Sequence, residues 1–361
     1  MAEQTEEKKD TQVRISASDG FIEFLKKHNI GLTWTARRSN RLFFAGVTPE
    51  DGLHLLDRHY PVCAGLCAKG NQIHVNSKSE MWTLRNVLEQ GEYRGFDRVF
   101  VPRIAYMTGD VQAHEMDLDA DGRLIFVNTR FSCLATTADL HSFQPLWKPP
   151  FISELRPEDR CHLNGLAMKK GQPRYVTAVS TSDTAQGWRE HRGDGGCIMD
   201  IRTGEFVIKG LSMPHSPRLY KGKFYVLNSG TGHFGEVDIK ANKFTPITFC
   251  PGFARGMKFI GDHALVAVSK PRTTKAFEGL DLDDALIAYS QKPLCGVLLI
   301  NLKKGKIVER VTIDGLIDEI QDLAILENCQ RPYAISPADK TMATTIHIDN
   351  KVAHSVPSTW S

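Results

Sequence analysis

Short apolar runs rich in Val, Ile, Leu and aromatic residues, each closed by a polar residue and then a Gly-, Asn- or Asp-containing turn, follow one another along this chain. Runs of that kind read as strands. Pairs of them flank Lys69-Gly70-Asn71, Asp119-Ala120-Asp121-Gly122, Lys170-Gly171-Gln172-Pro173, Lys221-Gly222-Lys223 and Gly261-Asp262, which are hairpin signals. Further strands are predicted from Gly196 to Ile201, Gly235 to Ile239 and Gly296 to Leu302, so each unit reads as a meander of about four strands.

The units share a frame. His114, His162 and His215 each stand four residues before a leucine (Leu118, Leu166, Leu219) and 13 to 15 before the polar residue that closes an apolar run (Asn128, Thr177, Asn228). In the same frame Val62 precedes Leu66 and Asn76, Arg255 precedes Phe259 and Ser269, and Glu319 precedes Leu323, which makes six copies. Fixed offsets at intervals of about fifty residues are the signature of stacked equivalent sheets.

Six such units predict an all-β, six-bladed β-propeller. The last copy has too few strands after Glu319, so Leu32 to Ala36, Arg41 to Gly46 and Leu53 to Leu56 are expected to complete it and close the ring, which removes exposed sheet edges. One propeller domain is expected over residues 18–336, with extensions at 1–17, read as flexible, and 337–361. A seven-bladed ring is the alternative if the long copy between Arg255 and Glu319 hides another sheet, and a pair of β-sandwiches is a further one. The segment from Lys270 to Leu280, with a short helical pattern from Asp281 to Tyr289, reads as an insertion over one face.

Composition narrows the class. Of 361 residues, 41% are hydrophobic and 24% charged, as in a soluble globular protein, and the net charge of +3 gives no basis for a nucleic-acid or membrane surface. The N-terminal Met1 to Asp10 lacks the apolar stretch of a signal peptide and no run is long enough to span a bilayer, so a cytoplasmic location is expected. The 8 cysteines lie mostly within apolar runs, as reduced buried thiols do; Cys63 and Cys67 lack a partner pair at zinc-ribbon spacing.

In a propeller the residue entering each innermost strand sits at the channel mouth, which is where the frame puts Val62, His114, His162, His215, Arg255 and Glu319. His114, His162 and His215 are candidate ligands of a divalent metal such as iron, zinc or manganese, with positions left open for water or substrate. Arg255 is a candidate for binding and orienting an anionic group, and Glu319 a candidate fourth ligand or general base. Asn164, Arg218, Lys258, Gln321 and Asp322 follow within three residues of the frame position and are candidate substrate contacts. The competing reading is a polar, water-filled channel whose side chains only satisfy the backbone. Asn76, Asn128 and Asn228 are expected to serve turns or cross-blade hydrogen bonds.

Three motif matches fail on context. Gly230-Thr231-Gly232-His233-Phe234-Gly235 has the spacing of a dinucleotide-binding turn but leads into a strand rather than a helix. Asp117 to Gly122 resembles a calcium loop, yet Asn128 stands where the closing Glu belongs. No nucleophile-elbow or Walker sequence is present.

The segments Met213-Pro214-His215-Ser216-Pro217-Arg218-Leu219-Tyr220, Asn228 to Gly232, Pro251 to Gly256 and Leu294 to Val297 resemble a conserved family described only as a domain of unknown function. Some of its members carry tetratricopeptide repeats, of which this chain has none. The resemblance spans residues 20 to 336 and implies no activity. In placement alone, the histidines are similar to those that hold manganese or iron at the axis of oligogalacturonate lyase and carotenoid oxygenases.

The expected function is that of a metal-dependent enzyme acting on a small anionic substrate at the channel mouth, by Lewis-acid lyase, cyclase or hydrolase chemistry. Two others stand beside it: an iron- or copper-dependent oxidoreductase at the same site, and a non-catalytic propeller that binds a protein or small ligand.

Overall fold

A computed structural model describes residues 13–88, 90–271 and 279–348. They form six sheets of four or five strands, each running outward from an innermost strand. The innermost strands are Asp322–Glu327, Leu66–Lys69, Ala113–Leu118, Leu163–Lys169, Pro214–Tyr220 and Phe253–Ile260, for blades one to six. Each meets its two neighbours around a closed ring. The molecule is a six-bladed propeller, and the long copy after Arg255 builds a single sheet, which removes the seven-bladed alternative.

Blade one is closed as expected. Asp322–Glu327 pairs antiparallel with Ile30–Ala36, which pairs in turn with Arg41–Val47 and Leu53–His59. Joining Asp322–Glu327 to these three N-terminal strands places a backbone hydrogen-bond ladder across the seam of the ring.

The strands are apolar on both faces because each blade is sandwiched between two others. Along Arg41–Val47, Phe43 packs with Trp34, Leu265 and Val297 toward blade six, while Phe44 packs with Ile73, Val75 and Phe100 toward blade two. Alternate side chains thus fill opposite blade interfaces, and the same division recurs around the ring. At roughly 25 cal/mol per Å² of apolar surface, these six interfaces are the main stabilising term.

Three elements extend the sequence expectation. Val13–Ala17 is a fifth strand on blade six, paired with Lys306–Gly315, so the domain begins by residue 13 rather than 18. Asp19–His28 is an α-helix that buries Phe21, Phe24 and Leu25 on blades six and one and ends at Asn29 in left-handed conformation. Pro332–Ala334 pairs parallel with Arg98–Met107 as a fifth strand of blade two, and beyond it Met342 packs on Val99 and Ile335. The expected extension 337–361 is therefore partly packed. Residues 1–12 and 349–361 of the two extensions, and 272–278 of the insertion, lie outside the described residues.

The described part of the insertion contains the helix Asp281–Ala288, whose Leu282 and Leu286 pack with Met213 and Phe253 beside the channel entrance. A second excursion, from Val179 to Gly195 in blade four, carries Trp188 into the same apolar cluster. Two loops from different blades therefore meet over one face. All 8 cysteines are buried and free.

Candidate functional site

The histidine frame converges. The His114 and His162 rings are 4.9 Å apart between centroids at 80°, and the charges of His162 and Arg255 both act on His215. Arg255 lies over the Phe253 ring at 4.6 Å and is 7% exposed. Arg37, from the hairpin between Ile30–Ala36 and Arg41–Val47, shares a small pocket with His114 and Lys78. The mouth is rich in nitrogen, with Arg37 and Lys78 near His114 and Arg255 near His215, and Asp110 also lines the pocket beside His114.

Each imidazole has its Nδ1 fixed by an acceptor. His114 Nδ1 is 3.0 Å from the Gln112 carbonyl, and His215 Nδ1 is 2.8 Å from the Met213 carbonyl. Both carbonyls can turn back on the residue two positions on because Gln112 (φ 49°) and Met213 (φ 44°) adopt left-handed backbone. A carbonyl only accepts, so Nδ1 carries the proton in both rings and Nε2 holds the lone pair. The Thr129 and Ser229 hydroxyls, 2.7 Å and 3.2 Å from the same Nδ1 atoms, donate onward to Leu163 O and Ala254 O at 2.6 Å. They therefore accept from the rings and fix the same tautomer.

His162 is held differently. Its Nδ1 lies 2.9 and 3.0 Å from the two Asp159 carboxylate oxygens, one of which also accepts from Trp188 Nε1 at 2.9 Å. The Trp188 ring covers the imidazole at 4.3 Å.

Burial holds His114 well below the usual histidine range, with the charges of His162 and Arg37 adding to the effect. It does the same to His215, reinforced by Arg255. Both are neutral at pH 7. A neutral imidazole with Nδ1–H engaged and Nε2 open is suited to accept a proton or to ligate a metal, which holds for His114 but not for His215, whose Nε2 is bonded to Asn164.

The metal expectation meets two geometric facts. Among the described residues no three His, Cys, Asp or Glu groups lie close enough together to hold a metal ion. The His215 Nε2 is 3.3 Å from Asn164 Nδ2, whose Oδ1 accepts from Thr177 at 2.6 Å, so Asn164 occupies the nitrogen that would ligate. As the side chains stand, the donor set does not fit a three-histidine centre.

The remaining candidates separate by depth. Glu319, 2% exposed, accepts from the Arg38 N–H at 2.6 Å and from Gln321 Nε2 at 3.1 Å. Arg218 is turned inward: its guanidinium meets Glu115 at 2.8 Å, and Glu115 also accepts from Ser216 Oγ at 2.5 Å and Leu166 N at 2.9 Å. Asp322 accepts from Leu66 N and Leu323 N, and burial raises its carboxyl to about 7 against the pull of Lys258. Arg218, Lys258 and Asp322 thus belong to a charged layer below the histidines that ties inner strands together. Asn76 and Asn228 accept from backbone N–H groups leading into the inner strands of their own blades, and Asn128 caps a turn at Phe131 N, so none is a cross-blade bond. Those bonds come from hydroxyls beside or near them: Thr129, Ser229, Ser269 and Thr35 each donate to a carbonyl of the next blade. In the calcium-like turn, Asp119 accepts from Asp121 N and Arg123 N and pairs with Arg123.

Sequence reasoning missed Asp159, Trp188 and Arg37. Asp159 stands three residues before His162 and was detectable by spacing; Trp188 and Arg37 lie in loops outside the repeat frame.

Comparison with known proteins adds the family and the fold. The sequence matches no curated protein. Among solved structures, a crystal structure of a nidogen/laminin complex aligns with TM-score 0.50 and 10% identity over 83% of this chain and 98% of that one. Virginiamycin B lyase from Staphylococcus aureus aligns at 0.40 and 12% over 66% and 73%, and a protein of unknown function from Bacteroides caccae at 0.40 and 9% over 82% and 98%. At such identities the likeness concerns fold alone. The family match runs from residue 19 to residue 335, nearly the whole propeller, and the chain belongs to the family described as Domain of unknown function (DUF4915).

Proposed function

We propose that this protein is an enzyme acting on a small anionic substrate at the histidine mouth of the channel, with Arg255 and Arg37 meeting the negative charge and the imidazoles moving protons. One observation carries the reading: three histidines from three blades each have Nδ1 fixed by an acceptor, in a mouth that also holds Arg37, Lys78 and Arg255, beside two loops packed over it. Positive charge in a partly desolvated mouth favours anions, and an imidazole with its Nδ1–H held and its Nε2 free of hydrogen bonds is placed to accept a proton. Lyase, cyclase or hydrolase chemistry on a carboxylate or phosphate ester requires no more than these groups.

Calorimetric titration with inorganic phosphate, sulfate and small dicarboxylates tests the anion site. Saturable binding of at least one, weakened about tenfold or more in Arg255→Met, supports it, since a charge-assisted hydrogen bond is worth about 1.5–3 kcal/mol. No binding of any anion by the folded protein would remove it. Turnover is tested by incubating metabolite extracts with wild type and His162→Gln and following consumption by NMR; binding without consumption leaves the non-catalytic ligand-binding propeller. Elemental analysis addresses the metal-dependent form, which stoichiometric iron, zinc, manganese or copper would favour.

A further inference from the structure

We infer that His162 is the proton-accepting base of this mouth, that Asp159 is its positioning residue, and that the substrate is an anion bearing an acidic C–H or O–H beside its charge. The inference rests on the proposed function and goes further by assigning one imidazole the chemistry.

The three histidines share a tautomer but differ in what meets Nδ1. His114 and His215 face carbonyls and hydroxyls, whereas His162 faces a carboxylate. A carbonyl fixes a tautomer; a carboxylate fixes it and also stabilises the imidazolium that forms when Nε2 takes a proton. His215 is further removed because its Nε2 is bonded to Asn164, and His114 is disfavoured as a cation by burial and by Arg37. His162 makes no hydrogen bond through Nε2 among the described residues.

Asp159 is built for this position. It is 5% exposed, its backbone N–H donates to Arg130 O at 2.9 Å, and its left-handed backbone (φ 48°) is followed by a second such residue at His162 (φ 51°). The Trp188 indole donates to the carboxylate and covers the imidazole, and the Trp188 backbone N–H donates to Arg160 O at 3.2 Å. A buried acid, an imidazole and an indole locking both are more than backbone satisfaction needs. In the step assigned, the substrate C–H or O–H bond breaks, the proton passes to His162 Nε2, and the electron pair stays on the substrate atom. Arg255, whose charge acts on His215, and Arg37, whose charge acts on His114, are the cations assigned to oppose the developing charge.

The test uses the full-length, EDTA-treated protein. Long-range proton–nitrogen NMR of ¹⁵N-histidine protein is expected to show His162 as the Nδ1–H tautomer. In Asp159→Ala the acceptor for Nδ1–H is removed, so His162 is expected to shift toward the Nε2–H tautomer, which an unpartnered neutral imidazole prefers. Modification by diethyl pyrocarbonate, mapped by mass spectrometry, should then slow at His162 by about tenfold or more, as expected when the reactive lone pair moves to the shielded nitrogen. Trp188→Phe removes only the indole donor and is expected to keep the wild-type tautomer, which separates loss of the carboxylate from loss of packing. An Nε2–H tautomer in the wild type, or unchanged tautomer and reactivity in Asp159→Ala, overturns the assignment. Because neither readout uses a ligand, its failure is distinct from failure of anion binding.

Discussion

One hydroxyl at Thr129 and one at Ser229 each join two blades and fix one histidine, because the proton goes to the next blade's carbonyl and the lone pair faces Nδ1. Thr129→Val keeps the shape and removes both roles. It should destabilise the protein by about 1–3 kcal/mol, the cost of a buried carbonyl left without a donor, while Thr129→Ser stays near wild type; urea unfolding measures the difference. Glu115 illustrates the same economy with charge, since it holds Ser216, Leu166 N and Arg218 together. Glu115→Ala strands a guanidinium that is only 17% exposed and is expected to cost about 3–5 kcal/mol by the same measurement.

At the scale of elements, the strands were legible because each propeller strand is short, apolar and bounded by turn residues, and the repeat made the hairpins self-confirming. The helix Asp19–His28 was not, because its Phe21, Phe24 and Leu25 form a single stripe over less than three turns, which resembles a loose strand pattern. Val13–Ala17 was missed for a related reason: alternating Val13, Ile15 and Ala17 among polar residues is a weak signal, and its pairing with Lys306–Gly315 joins opposite ends of the chain. Phe21→Ala should lower stability by about 3–5 kcal/mol, because the side chain is fully buried in the cluster joining blades six and one. Gly296 is needed for another reason. A Cβ there would strike the Val311 carbonyl on the paired strand, so Gly296→Ala is expected to weaken blade six and give a Tm below wild type in calorimetry.

For the whole molecule, buried titratable groups set a pH dependence. His74 is pushed down to about 4 by burial, and His114 and His215 also lie well below 6.5, so below pH 6.5 the unfolded chain takes up protons there that the folded chain refuses. Stability from these groups is present above pH 6.5 and is lost as pH falls. Asp322 acts in the opposite direction: the folded chain keeps its proton up to about 7 whereas the unfolded one releases it near 3.8. The three histidines outweigh the one carboxyl, so metal-free protein should lose stability from pH 6.5 to 5, by roughly 1.4 kcal/mol per pH unit for each excess proton bound by the unfolded chain. Urea midpoints that stay flat or rise over that range would contradict the burial of these imidazoles.

The sequence by itself determined the six-fold repeat, the hairpins, the completion of blade one by N-terminal strands and the neighbourhood of His114, His162, His215 and Arg255, because all of these follow from local patterning and a fixed period. Only the tertiary structure decided what each side chain meets there. Asn164 occupies the His215 nitrogen, Glu115 turns Arg218 inward, and Asp159 with Trp188 holds His162. Those partners are set by contacts between blades and by a loop outside the repeat, and hydrogen-bond geometry at a few ångströms depends on how neighbouring sheets pack, which no period in a single chain encodes.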